Sequence, residues 1–359
     1  MRDKAIDQLK ELTEAHGAPG FEDEVRAIFT NELEDLGELS TDGNGSVFCE
    51  RGEGGPRVLL TGHMDEVAFR VQNITPEGFI QFVTLGGWWP HTVLAQRVEV
   101  RTSDGRKILG VVASKPPHFL PESERRQVMT IEQMFIDVGA QSRDDLEKNI
   151  GIRIGDPILP LTPFSPMDNE NLFMAKAFDN RVGMGGTIQA TQQLAAERHP
   201  NTLIACGTVQ EEVGVRGATT AARQAKPDVA IVLEGAPADD TPGFSRASSQ
   251  GAVGAGVQVR LQDPTAIMNP ALVDLVVKTA EENNIPYQLT VRSSGGTDAR
   301  AFSLSGRGVP SIVLATPSRY IHSHNSIIDI RDYLAMIDLS IALVKNLDQK
   351  TVDSLTSYL

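Results

Sequence analysis

Residues 202–218 read TLIACGTVQEEVGVRGA, and the first eight of them form an apolar run of strand length. The run stops at Gln210, and Glu211 and Glu212 follow with no residue between them. Adjacent carboxylates repel each other, so two alternatives are open at this point. The acids lie in a solvated loop, or they lie at a metal ion, where one glutamate ligates the metal and its neighbour handles a proton.

Further apolar runs alternate with helical patterns along the chain. RVLLTG (57–62), DVAIVL (228–233) and PSIVLAT (310–316) have strand character. Helical spacing is found in four segments, which are 21–37, 179–199, 269–285 and 331–347. Continuous apolar strands between helices predict an α/β fold with a mainly parallel sheet covered by helices on both faces.

Residues 69–166 have a different pattern. VEVRTSDGRKILGVVAS (98–114) alternates between apolar and polar residues and contains the turn signal SDG, which is typical of a hairpin. We therefore predict a β-rich domain at 69–166, inserted into an α/β domain formed by residues 1–68 and 167–359. GGWWP (86–90) could be an interface or a local core, and we favour an interface.

Composition excludes several classes of partner. The 359 residues carry a formal net charge of −14, which argues against nucleic acid and anionic membranes. Two cysteines make no disulfide framework, and we find neither a run of about 18 apolar residues nor the apolar core of a signal peptide. We expect a cytoplasmic protein.

Carboxylates and imidazoles follow the predicted strands at the edge where α/β proteins gather function. They are His63, Asp65, Asp179, Glu211, Glu212, Glu234, His322 and His324. These are ligands for zinc and similar divalent ions. Taken singly, the histidines could merely end strands, Asp179 could cap a helix and Glu234 could be a solvated acid.

The spacing of His63 and Asp65 is informative. Two residues apart on an extended chain, their side chains point the same way. A ligating histidine commonly passes its second ring N–H to an acceptor that fixes its tautomer. We expect Asp65 to do this, directly or by orienting its surroundings.

Five motifs, in this order, resemble the TET-type aminopeptidases, family forty-two of the metallopeptidases. They are TGHMDEV (61–67), KAFDNRVG (176–183), TVQEEVGVRGA (208–218), SSGGTDAR (293–300) and SRYIHS (318–323). The family also includes chains labelled glutamyl aminopeptidase, deblocking aminopeptidase and endoglucanase-M-like. The resemblance covers nearly the whole chain.

The resemblance implies a zinc-exopeptidase fold and an aminopeptidase with two divalent metal ions, zinc or alternatively cobalt or manganese. It makes Glu211 the general base and Asp65 a supporting residue. The implied metal ligands are His63, Asp179 as the bridge, Glu212, Glu234 and His322. It also makes the insert a dimerisation domain, and it implies peptide substrates and a tetrahedral dodecamer built from dimers.

The chain departs from the family pattern at two positions. Glu234 stands where relatives have Asp, with Asp239 and Asp240 nearby as substitutes. His324 stands where relatives often have Pro; it could add an imidazole to the site, but we expect a surface position. SSGGTDAR is either a plain turn or a backbone approach to substrate, and the resemblance places it near the active site.

Two other classes of protein remain as alternatives. Adjacent acids suggest a glycoside hydrolase, the label that some relatives carry, although such enzymes need no histidine ligands. A non-catalytic, shell-forming metal-binding protein is the other alternative.

Overall fold

The computed structural model describes residues 2–52, 54–245 and 247–359. Its strands form two separate structures, a twelve-stranded sheet and a closed six-stranded barrel. The barrel strands are β4 (Ala68–Ile74), β5 (Ile80–Leu85), β6 (Arg97–Arg101), β7 (Lys107–Ser114), β8 (Met134–Asp137) and β9 (Pro157–Pro160).

The large sheet has the remaining strands. They are β1 (Glu38–Thr41), β2 (Val47–Arg51), β3 (Arg57–His63), β10 (Ser165–Pro166), β11 (Leu172–Ala175), β12 (Thr202–Thr208), β13 (Val229–Pro237), β14 (Val257–Asp263), β15 (Ala266–Ile267), β16 (Tyr287–Val291), β17 (Ser311–Arg319) and β18 (Ser326–Asp329).

The centre of this sheet is parallel and its margins are antiparallel. Strands β12, β3, β13 and β17 lie side by side in parallel register. Antiparallel strands β2, β14 and β18 flank this centre. The central strands are buried along nearly their whole length, as the continuous apolar runs predict. The predicted α/β class and mainly parallel sheet are confirmed, with the parallel pairs concentrated at the centre.

The helices cover the sheet, apart from α3 (Glu122–Arg125), which lies between the barrel strands β7 and β8 in the chain. They are α1 (Arg2–Glu14), α2 (Asp23–Leu33), α3 (Glu122–Arg125), α4 (Phe178–Ala195), α5 (Arg216–Ala225), α6 (Pro270–Glu282), α7 (Ala299–Ser303), α8 (Ile330–Asn346) and α9 (Gln349–Ser354). Helix α4 packs on β3 and β13 together with α1 and α8, whereas α5 and α7 pack on each other and on strands β12, β13 and β17. Helix α2 ends at Leu33, before the predicted stop at Gly37.

Glycines let α4 lie directly on the sheet. A Cβ added to Gly62 would lie 2.5 Å from the carbonyl carbon of Gly183, and one added to Gly183 would lie 2.3 Å from the Leu233 oxygen. No side chain fits at either contact. The glycine-rich sequence therefore forms a helix because close packing against the sheet offsets the poor intrinsic helix propensity of glycine.

The barrel is formed by residues that the sequence identified as β-rich. The predicted hairpin is present as β6 and β7, paired from Arg97–Val111 to Arg101–Lys107. Pairing of β4 with β9 closes the barrel across nearly ninety positions of sequence, with Phe69 opposite Ile158. Apolar side chains such as Val98, Val100 and Ile136 fill the interior. Among the described residues, no helix is both long and apolar enough to cross a membrane.

Candidate metal centre

Two strands, two connecting segments and one helix bring polar side chains to one edge of the large sheet. Strand β3 ends at His63, β13 carries Glu234, and the loop after β12 carries Glu211 and Glu212. The start of α4 supplies Asp179. The turn between β17 and β18 supplies His322, whose backbone has a φ of 55°.

Asp179 lies between the two imidazoles. Its Oδ1 is 3.2 Å from Nε2 of His63, and its Oδ2 is 3.3 Å from Nε2 of His322. The side chain therefore does not serve as the helix cap that the sequence left open: Asp179 and Asn180 have non-helical backbone angles, and it is Asn180 whose side-chain oxygen accepts the backbone N–H of Gly183 at 2.9 Å. A carboxylate with one imidazole at each oxygen is placed to bridge two cations.

The remaining acids complete two groups that share Asp179. His63, Asp179 and Glu234 form one group, and Asp179, Glu212 and His322 form the other; in each, one ligand atom per residue lies within 4.8 Å of the others. Nε2 of His63 is 3.7 Å from Glu234, and Nε2 of His322 is 3.5 Å from Glu212. The structure thus brings all five predicted ligands together.

The centre is buried on the side of His63 and open to solvent on the side of His322. The side chain of His63 is 2% exposed, whereas that of His322 is 36% exposed. Glu211 is 13% exposed and lies 4.0 Å from Nε2 of His63. Substrate can therefore approach from the side of His322 and Glu211.

Asp65 connects two parts of the centre. Its backbone oxygen lies 3.0 Å from Nδ1 of His63, and its carboxylate lies 3.5 Å from the same nitrogen. The carboxylate also accepts the backbone N–H groups of Glu211 and Glu212, at 2.9 and 3.1 Å. The backbone oxygen of Asp65 therefore faces the imidazole more closely than its carboxylate does, and the carboxylate holds the loop of the two glutamates, a contact that spacing could not reveal.

The barrel contributes to the centre through His322. Nδ1 of this imidazole lies 2.9 Å from the carbonyl oxygen of Gly87, in the segment that follows β5. This acceptor favours the tautomer with its proton on Nδ1, which leaves Nε2 free to ligate. The segment GGWWP thus has a role beside the candidate centre.

Within GGWWP the two tryptophans differ. Trp88 stacks on Phe69 of β4, with ring centroids 4.5 Å apart, and donates to the oxygen of Ala68. Trp89 is 63% exposed. Trp88 therefore belongs to the local core, and only Trp89 is free for an interface.

The charges of the cluster shift each other's pKa. Burial lowers the pKa of His322, but Asp179 and Glu212 outweigh it and raise the pKa to about 9. Burial, reinforced by Asp179, raises the pKa of Glu212 to about 8. Burial and the neighbouring acids likewise raise the pKa of Glu234 and Glu211, although His63 opposes this shift. Without cations, the centre therefore retains protons that bound cations would displace.

Two features of the site escaped the sequence analysis. Asp298, in SSGGTDAR, is fully buried, and burial raises its pKa to about 6; one oxygen accepts from Thr208 and the other has no partner among the described residues. Its charge raises the pKa of Glu211 and Glu234, so the segment does lie near the centre.

The other feature is a buried ion triad, in which Glu66 pairs with Lys176 and Arg181. Charged residues inside the quoted motifs were the signal for both.

His324 is not at the surface. It is 1% exposed, and its ring centroid lies 5.3 Å from that of Trp88 and 6.4 Å from that of Phe69. The expected surface position is wrong because aromatic side chains of the barrel cover this turn. Asp239 and Asp240 pair with Arg292 and Arg319 respectively, so Glu234 has no substitute ligand in them.

The donor set fits two divalent cations of the zinc type. Imidazole nitrogens and carboxylate oxygens are the ligands that such ions take. Oε1 of Glu212 is buried and has no hydrogen-bond partner among the described residues. A buried carboxylate oxygen without a partner is costly, and a cation held with Asp179 and His322 would satisfy it.

Comparison with known proteins agrees with this geometry. The sequence model of a family described as M42 glutamyl aminopeptidase matches residues 45–339. Glutamyl aminopeptidase of Lactococcus lactis subsp. cremoris is 35% identical over 98% of this chain and 99% of its own.

Two solved structures are similar over the whole chain. A TET aminopeptidase from the marine sediment archaeon Thaumarchaeota archaeon SCGC AB-539-E09 has a TM-score of 0.95 and 42% identity, over 99% of this chain and 100% of its own. The Pyrococcus horikoshii TET1 peptidase, described as able to assemble into a tetrahedron or a large octahedral shell, has a TM-score of 0.85 and 29% identity, over 96% and 100%.

Proposed function

The chain belongs to the M42 glutamyl aminopeptidase family, and from this premise we propose how its residues remove N-terminal residues from peptides. The enzyme is an aminopeptidase, a hydrolase of the exopeptidase type, and the family is one of metallopeptidases. The observation that carries the proposed mechanism is the position of Asp179 between the imidazoles of His63 and His322.

We propose that His63, Asp179 and Glu234 hold one cation and that Asp179, Glu212 and His322 hold the second. Zinc is the proposed metal, with cobalt and manganese as alternatives. Two bound cations would polarise the scissile carbonyl and make a water molecule acidic near neutral pH. Glu234 is longer by one methylene than the Asp of relatives, so we expect the metal preference at His63 to differ from theirs.

Glu211 is the proposed general base. Its carboxylate lies beside the ligand groups, 4.0 Å from Nε2 of His63, without belonging to either group. It accepts a proton from the attacking water and later delivers that proton to the leaving amine. Asp65 keeps Glu211 in place through the backbone of the loop.

The insert is the proposed dimerisation domain. Strands β4–β9 close on themselves between Ala68 and Pro160, which supports the division into 1–68 with 167–359 and 69–166. We propose homo-oligomeric assembly as dimers combined into a tetrahedral dodecamer; the TET1 peptidase, described as a dodecamer and as a tetrahedron or a large octahedral shell, supports a closed shell of many subunits. Light scattering of the purified protein measures the subunit number, and cell fractionation tests the expected location in the cytoplasm.

The alternatives have less support. A glycoside hydrolase needs two carboxylates and no imidazole, whereas two imidazoles lie inside this cluster. A non-catalytic metal-binding protein has no use for Glu211, which stands beside the ligands with a pKa raised by burial and the nearby acids.

Metal removal tests the proposal. The protein is stripped with a chelator, and hydrolysis of a panel of aminoacyl chromogenic substrates is followed while zinc, cobalt or manganese is added back. We expect activity to vanish and to return with two ions per subunit, as counted by mass spectrometry of the metals. Full turnover after stripping would contradict the proposal.

A further inference from the structure

Helices α5 and α7 leave an open groove of about 470 Å³ between them. It begins at Gly214 and Val215, in the loop that carries Glu211, and continues past Thr219 to Leu304. Its volume lies within the range of ligand-binding sites, roughly 300–1,000 Å³. No step of the proposed mechanism uses this groove.

Two arginines give the groove a positive charge. Arg223 of α5 and Arg300 of α7 both line it, and no Asp or Glu is found among its lining residues. In the parts of the chain that the structure describes, neither guanidinium has a carboxylate within 4.0 Å, and neither donates a side-chain hydrogen bond. In a protein of net charge −14, two free guanidinium groups on one concave surface favour an anionic ligand.

Glu211 relates this groove to the substrate. The inference rests on the proposed function, in which Glu211 delivers a proton to the leaving amine. The leaving amine begins the part of the peptide after the cleaved bond, so this part starts beside Glu211. The groove starts three residues further along the same loop.

The length of a short extended peptide matches the length of the groove. Helix α5 has 10 residues and so spans about 15 Å. An extended peptide covers up to about 3.5 Å per residue, so about four or five residues can follow the groove. The chemical group that two arginines recognise best is a carboxylate.

We propose that this arginine groove, lined by Gly214, Val215, Thr219, Arg223, Arg300 and Leu304, binds the part of the peptide that follows the cleaved bond. Arg223 and Arg300 donate to a carboxylate of that part, which is either the C-terminal carboxylate or an acidic side chain. The enzyme accordingly prefers short peptides that carry a negative charge a few residues after the cleaved bond.

Matched peptides test this proposal. Peptides of two to eight residues share one N-terminal residue and end in a free acid or in an amide. A third set ends in an amide and carries one glutamate near that end, which separates the two sources of carboxylate. For the wild type at low salt we expect kcat/KM to favour the charged peptides about threefold to tenfold at the matching length. The preference should decrease as salt is raised.

Two double variants supply the comparison. Arg223→Ala with Arg300→Ala should lose the preference, whereas Arg153→Ala with Arg198→Ala removes the same charge at two exposed positions outside the groove and should keep it. An aminoacyl chromogenic substrate has no peptide after the cleaved bond, so all variants should hydrolyse it equally. Arg223→Lys with Arg300→Lys should retain part of the preference.

The contrary outcomes are specific. An unchanged preference in the groove variant, or an equal loss on the chromogenic substrate, overturns the proposal. A changed subunit number with unchanged preference would make the groove a contact between subunits instead. If the wild type hydrolyses neither peptide nor chromogenic substrate, the proposed function itself fails.

Discussion

The carboxylate of Asp65 accepts the backbone N–H of Glu211 at 2.9 Å, so the segment that follows strand β3 controls the position of the proposed general base. The same carboxylate holds the neighbouring amide of Glu212 and lies beside His63. One side chain thus links two proposed ligands and the proposed base. A defect at Asp65 must therefore affect metal binding and proton transfer together.

Asp65→Ala should reduce metal affinity and kcat, each by about 10- to 100-fold, because the amides of Glu211 and Glu212 lose their acceptor and the His63 imidazole loses the carboxylate that lies 3.5 Å from its Nδ1. The measurements are metal content after dialysis and turnover of a chromogenic substrate. Asp228→Ala is the matched control, since Asp228 accepts a backbone N–H at the opposite end of β3. Equal losses in both variants would make Asp65 merely structural.

Glu211→Gln and Glu212→Gln should separate the roles of the two adjacent acids. Glu211→Gln keeps both metals but loses about 10²- to 10⁴-fold in kcat, because an amide accepts no proton from water. Glu212→Gln mainly loses metal, and added metal partly restores its activity. Metal content and kcat are measured on the same samples. Equal metal loss in the two variants would contradict this division of roles.

Glu234→Asp should weaken the site at His63 selectively. The shorter side chain withdraws its carboxylate by about 1.5 Å from an imidazole that it now approaches to 3.7 Å. One of two metal ions should leave at a chelator concentration roughly tenfold lower than in the wild type. Competition among zinc, cobalt and manganese reports the change in preference.

Glu234→Gln is the control for length, since it keeps the reach and removes the charge. If Glu234→Asp binds both ions as the wild type does, the extra methylene has no effect on the metal.

The sequence was sufficient to predict which polar side chains meet at one edge of the sheet, because His63, Glu212 and Glu234 each follow a short-range signal, an apolar run of strand length. Asp298 offered no such signal, since its burial beside Thr208 depends on two segments ninety residues apart. Closure of the barrel was hidden for the same reason, because β4 and β9 pair across long sequence separation.

No helix was predicted from the sequence for the N-terminal segment, yet this segment forms α1. Its apolar residues Ala5, Leu9 and Leu12 are fully buried, and Leu12 contacts the large sheet's helix α4 through Arg181. The helical spacing of these apolar residues was present in the sequence, but the charged residues between them made it difficult to recognise.

His324 should make stability depend on pH. Burial lowers its pKa from 6.5 to about 4, so between these values the unfolded chain binds a proton that the folded chain does not. His324 therefore leaves the free energy of unfolding unchanged above pH 6.5. As the pH falls towards 4, the free energy of unfolding decreases by up to about 3 kcal/mol. Denaturant unfolding of metal-free protein at several pH values measures this loss.

His324→Phe keeps an aromatic ring against Trp88 and should flatten this part of the pH dependence. His118→Phe, at an exposed position of the barrel domain, should leave the slope unchanged. A wild-type slope in His324→Phe would show that other groups cause the acid sensitivity.

The hydrogen bond between His322 and Gly87 has a consequence for any attempt to shorten this enzyme. A minimal version that replaces residues 69–166 with a linker would keep every proposed ligand but lose the carbonyl that sets the tautomer of one of them. Such a truncated protein, which also loses the short edge strand β10, should fold around the rest of its sheet and still catalyse poorly, so the barrel would be more than an appendage.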